Sequence, residues 1–301
     1  MNTSANVAGP QAAVLSATRP LYWSVRRELW ENRTIYIAPL VAAVVFLFGF
    51  VIHTILLRKR MHGVWPADPA QLHDLLATSY EIAAALIMGV AFLVGIFYAL
   101  DALYGERRDR SILLWKSLPV SDLTTVLAKA TIPLLILPVF SFAITVVTQM
   151  IMLLLSSVIL LGSGLSMATL WTHSSVLSFS LMLLYHIVTV HGLWYAPIYG
   201  WLLLVSAWAP RAPFIWAFMP PFVIGGVEKI AFNTSHFFNL LLRRLAGPEP
   251  ALPHHSDTVM DVMAALTPWQ FFSEPGLWIG LAIAAVCLVG AVRLRRYRGP
   301  M

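Results

Sequence analysis

The chain has 301 residues, of which 59% are hydrophobic and 11% charged, with a formal net charge of +6. An average soluble domain carries roughly 25% charged residues, so this composition excludes an ordinary water-soluble globule and points to a membrane protein. The lone cysteine, Cys287, excludes a disulfide framework or a thiolate metal site within one chain. The positive charge has no aromatic-interleaved basic patch beside it and implies attraction to anionic membrane lipid, with no nucleic acid.

In chain order, the first 34 residues lack the compact charged, apolar and small-residue order of a cleavable signal, so the first long apolar run is expected to remain as an anchor. Within them, "RPLYWSVRRELWENR" sets Tyr22, Val25 and Leu29 at helical spacing with Trp30 beside them, and Arg26, Arg27, Glu28 and Glu31 elsewhere around the helix. This pattern suits an interfacial helix on the cytoplasmic leaflet or a plain positively charged anchor.

A hydrocarbon core of ~30 Å needs about 20 apolar residues in a helix. Uncharged runs at Ile35 to Leu57, Ile82 to Leu100, Ala212 to Val227 and Gly276 to Val292 fit one span each, whereas Ala130 to Pro210 must fold back. Gly162-Ser163-Gly164 is the predicted reversal, with Thr172-His173-Ser174-Ser175 starting the returning helix. Six spans result, at about 35–57, 80–103, 131–160, 176–208, 212–230 and 275–293. The returning helix carries Pro197 and Gly200, which predict a kink there; a seventh crossing is the alternative. With six spans, fourteen Lys and Arg residues fall on one side and six on the other, which puts both termini in the cytoplasm.

The polar segment between the second and third spans, "LYGERRDRSILLWKSLPVSDL", has more grammar than a loop needs. Leu103 and Tyr104 end a span, Gly105 allows a turn, and Glu106, Arg107, Arg108, Asp109 and Arg110 are too charged for lipid. Ser111 can cap a short helix in which Ile112, Leu113, Leu114 and Trp115 form an apolar surface, and Pro119 stops it. Ser121 can cap the next helix, with Asp122 in its first turn against the positive end of the dipole.

Followed by "VLAK", this segment resembles the cytoplasmic element between the second and third helices of permeases in the bacterial type-2 ATP-binding-cassette (ABC) exporter family, over Leu103 to Lys129. "WLLLVSAWAPRAPFIWAFMPP" (201–221) is similar to that family's turn between the fourth and fifth helices. The resemblance implies that 103–129 is a coupling element docking on an ATPase subunit, with Glu106, Arg107, Arg108, Asp109, Ser121 and Asp122 in it, and with Ile112 and Trp115 on its docking helix. Trp115 would be the anchor, and Arg107 and Arg108 the rim charges. Arg110 stands where a small residue such as Gly is common in that family.

No G-x-x-x-x-G-K-[ST] occurs in the chain, so ATP and Mg are expected on a separate ATPase, present in two copies beside a second permease copy. The rivals are a membrane-embedded enzyme of the intramembrane-protease type and a scaffold that transports nothing. The expected fold is an all-α integral membrane protein of the bacterial inner membrane: one permease domain over 1–301 with six spans, an N-terminal interfacial helix and a cytoplasmic coupling helix.

On the outer face, the 229–274 segment contains the amphipathic "FFNLLLRRL" and a Pro-rich turn, too little for a separate domain. Glu81, His186 and Glu228 are candidate pathway residues, since intramembrane ionisable groups are functional by default. Glu228 also reads as an interfacial acid near Lys229, and Gly225-Gly226 before it suggests a broken helix by family resemblance. Asp101 reads as interfacial. His186 and His191 stand about 140° apart on an α-helix and so share no face. His254, His255, Asp257 and Asp261 read as a solvated loop. Gly276, Gly280 and Ala284 form a small-residue ridge for close helix packing.

Overall fold

The computed structural model describes residues 18–60, 69–117, 120–160, 176–247 and 268–299. Every regular element among them is helical. The chain opens with α1 (Thr18–Glu31), α2 (Thr34–Arg60) and α3 (Pro69–Ala102). Three shorter helices follow: α4 (Tyr104–Arg108), α5 (Ile112–Ser117) and α6 (Asp122–Thr131). A π-helical turn, Ile132–Ile136, joins α6 to α7 (Leu137–Leu160). The returning limb is α8 (Val176–His186), a π-helical stretch (Ile187–Trp194) and α9 (Ala196–Trp208). Then come α10 (Pro213–Phe232), α11 (His236–Ala246), α12 (Pro268–Ser273) and α13 (Pro275–Tyr297).

Among the described residues five helical stretches are long and apolar enough to cross a membrane, or six when the bent pair Ser180–Trp194 and Ala196–Trp208 counts as one span. Large apolar side chains lie exposed along them, among them Val44, Phe48, Phe97, Val147, Ile230 and Val286. A water-soluble monomer rarely shows contiguous apolar surface of this extent; the arrangement is that of a multi-pass membrane protein.

Among the described residues, helices lie over the expected segments with shifted ends, and five of them, or six with the bent pair, are long and apolar enough to cross a membrane. The second begins earlier, at Pro69, and the third continues α6 through the π turn, where Pro133 cannot donate a backbone hydrogen bond. The bend in the fourth measures 43° and falls at Tyr195, ahead of the Pro197 and Gly200 to which the sequence pointed. Pro197 sits in the first turn of α9, where a missing N–H is harmless. Gly200 serves close packing instead: a Cβ there would lie 3.2 Å from the backbone of Ala284 on α13. Ala284 of the Gly276–Gly280–Ala284 ridge thus packs against α9 of the same chain. The reversal at 162–164, the cap at 172–175, Pro119 and the 254–261 histidine and aspartate group lie outside the described residues.

The interior between α3, the 187–194 stretch, α9 and α13 is a core of Ala99, Leu100, Trp194, Tyr199, Leu203 and Leu277. A second cluster, with Ile35, Ala91, Tyr98, Ile132 and Leu137, takes in Val25 and Leu29 of α1. On its other side α1 exposes Tyr22, Trp23 and Trp30, with the Arg26 guanidinium 5.1 Å from the Trp23 ring and 4.7 Å from the Trp30 ring.

Candidate functional site

The segments that carry fourteen of the twenty Lys and Arg residues meet at one end of the helix bundle, and what joins them is a buried ionic core. Glu28 of α1 is 1% exposed. It accepts hydrogen bonds from Lys129 Nζ of α6 at 2.9 Å, Arg27 at 2.7 Å and the Tyr98 hydroxyl of α3 at 2.8 Å. Glu106 of α4 is also buried and faces Arg27 at 3.4 Å, Lys129 at 3.2 Å and Arg295 of α13, which donates to it. Arg295 lies 3.1 Å from Asp122 as well. Three carboxylates thus meet three cations, drawn from α1, α4, α6 and α13, with Tyr98 of α3 at the edge. Burial by itself raises the Glu28 carboxyl; Lys129 and then Arg27 and the Tyr98 hydroxyl outweigh it and hold the group below the usual carboxylate range.

The neighbouring elements are fastened with similar economy. Arg107 donates to the carbonyls of Ala207, at 2.6 Å, and Ala209, occupying acceptors at the negative end of α9. The Ser206 hydroxyl accepts from the backbone N–H groups of Leu103, at 3.0 Å, and Tyr104, at 2.9 Å, which are orphan donors where α3 gives way to α4. Arg298 donates to the Trp208 carbonyl.

Onto this base sits α5. Ile112 is 1% exposed and anchors it from below, and the half-buried Trp115 ring lies under the Arg27 guanidinium at 3.7 Å. Lys116 Nζ donates to the Arg296 and Arg298 carbonyls at 3.4 Å each. Leu113 and Leu114 point away from the protein, 58% and 60% exposed. Trp115, the expected docking anchor, is thereby engaged within the chain, and its place as outward apolar group is taken by the two leucines.

The other expected residues divide in the same way. Glu106 and Arg107 are internal, and Arg107 is no rim charge; Arg108 and Asp109 are exposed and pair with each other at 2.9 Å. Ser121 caps α6 as expected, its hydroxyl accepting from Thr124 N at 3.1 Å, while Asp122 belongs to the ionic core. Ser111 turns its hydroxyl to the Glu106 carbonyl, 3.4 Å away. The sharp reversal is made by Arg110 in the left-handed region, φ 57°, and not by Gly105, which lies within α4. The pairing of Glu28, Lys129, Tyr98 and Arg295 is not legible in the sequence, because Glu28 and Arg295 stand among other charges and the cross-helix partners lie 70 to 189 residues apart. The available signal was that Lys129 and Arg295 lie only just outside long uncharged runs.

Of the pathway candidates, Glu81 and His186 are exposed. Glu228 neither pairs with Lys229 nor breaks its helix. Its carboxylate accepts from the N–H groups of His236, at 2.7 Å, and Phe237, at 2.8 Å, and from the Thr234 hydroxyl at 2.8 Å, capping α11. The helix α10 runs unbroken through Gly225-Gly226, and a Cβ on Gly225 would meet Phe238 of α11 at 2.8 Å. His186 and His191 do share a face: in the π-helical stretch residues five apart stand about one turn apart, and the rings lie 5.5 Å from centroid to centroid. No group of three or more His, Cys, Asp or Glu side chains able to hold a metal occurs among the described residues.

No protein-family model, no curated protein and no solved structure matches this chain.

Proposed function

We propose that the protein is the permease subunit of an ABC exporter, with the ionic-core end facing the cytoplasm of a bacterial inner membrane and α5 serving as the element that receives a separate ATPase. The observation that carries this reading is the two-sided character of α5. Its outward face offers Leu113 and Leu114, and its inward face, through Ile112 and Trp115, is fixed to a core that ties α1, α3, α6 and α13 together. A push on the leucines is thus delivered to several candidate spans at once. The resemblance of 103–129 to the coupling element of such permeases supports the same reading, as do the exposed aromatic residues of α1, which suit an interfacial helix. In this arrangement two ATPase copies hold ATP and Mg, and two permease copies form the passage.

The test is co-purification of the chain with a P-loop ATPase from the same source. Leu113→Asp with Leu114→Asp should abolish capture of the ATPase, because charges placed at the centre of an apolar contact remain unpaired. Wild-type capture by this double variant, or ATP hydrolysis by the isolated chain, would overturn the assignment.

A further inference from the structure

We infer that the apolar groove between α2 and α3 is a binding site for one acyl chain of an anionic phospholipid, with Arg33 holding the phosphate. The groove is open along one side and offers about 530 Å³. Ala38 and Ala42 contribute only methyl groups to it, so a depression is left between Val41 and Val45 of α2 and Leu86 and Val90 of α3. These α2 positions recur at three- and four-residue spacing and form one face of the helix.

Two features specify the occupant. The first is length: from Arg33 to Val45 the helix rises about 18 Å at ~1.5 Å per residue, slightly more than half of a ~30 Å hydrocarbon core. The groove is therefore one leaflet deep. The second is charge. Arg33 lines the groove at its ionic-core end and is exposed. Unlike Arg27 and Arg295, it faces no carboxylate among the described residues. A fork of guanidinium donors at headgroup depth above an apolar channel matches an amphiphile with an anionic phosphate and an acyl chain. The inference does not rest on the transport reading.

The experiment uses the full chain, purified in detergent and stripped of lipid, titrated with phosphatidylglycerol or phosphatidylcholine of identical acyl chains and read by native mass spectrometry. The wild type should retain phosphatidylglycerol in preference. Arg33→Gln should cut that preference about five-fold, the effect of one cation near an anionic headgroup, and Arg33→Lys should keep most of it. Ala42→Leu, which fills the groove from an only half-buried position, should weaken both lipids without changing their ratio. Equal retention of the two lipids by the wild type, or unchanged retention by Ala42→Leu, would overturn the site. So would efficient disulfide cross-linking between two chains at Ala42→Cys in a Cys287→Ser background, which would give the groove to a second copy.

Discussion

Replacing Glu106 by glutamine removes one negative charge from a set of three carboxylates and three cations while keeping the shape of the side chain. Arg295, Lys129 and Arg27 all face this carboxylate. Removing one partner from a buried ion pair commonly costs 3–5 kcal/mol, because the surviving charge stays buried without compensation. Here each cation keeps another carboxylate: Arg295 retains Asp122, and Lys129 and Arg27 retain Glu28. The loss should therefore fall at the lower end, about 3 kcal/mol. It can be measured by equilibrium unfolding in mixed micelles, with Asp109→Asn as the control because Asp109 and Arg108 pair in the open. Combining Glu106→Gln with Arg295→Met should show a coupling energy of about 0.5–3 kcal/mol, as expected for residues in direct contact. If Glu106→Gln shifts the unfolding free energy by less than about 0.5 kcal/mol, or no more than Asp109→Asn does, the ionic core does not hold these helices together.

Arg110→Gly should stabilise the fold by about 1 kcal/mol in the same assay, since a left-handed backbone conformation, here at φ 57°, is free of steric cost only for glycine. Glu28 has a folded pKa below its ordinary value of 4.5, so the stability it contributes is complete above that pH and lost as pH falls through the folded value. An acid titration of unfolding free energy should show that falling limb in the wild type and a shallower one in Glu28→Gln. Gly200→Ala, which presses a methyl to 3.2 Å from the backbone of Ala284, should cost about 1–3 kcal/mol. Gly49→Ala, with nothing within 4 Å of the new methyl, should gain up to about 1 kcal/mol from helix propensity; similar melting of the two variants would refute the close approach of α9 and α13.

The apolar helices, their approximate limits and the capped start of α6 at Ser121 were legible in the sequence because each depends on neighbours a few residues away: a run long enough for a bilayer, or a hydroxyl within reach of Thr124 N. The charge tally correctly grouped α1, the 103–129 segment, the turn after Trp208 and the tail at one end, since positive residues cluster there regardless of their exact partners. What each charge does was settled only in three dimensions. Glu106 and Arg108 look alike in the string GERRDR, yet one is enclosed by three cations and the other is exposed. Trp115 and Leu114 are adjacent apolar residues, and only the helix rotation turns one under Arg27 and the other outward. The histidines moved from opposite faces to ring contact because a π-helical stretch changes the residues per turn, a departure that propensity does not announce. Local chemistry determines the elements, while the partners of a buried charge are set by the packing of helices far apart in the chain, where a gap of 189 residues between Glu106 and Arg295 leaves no periodic trace.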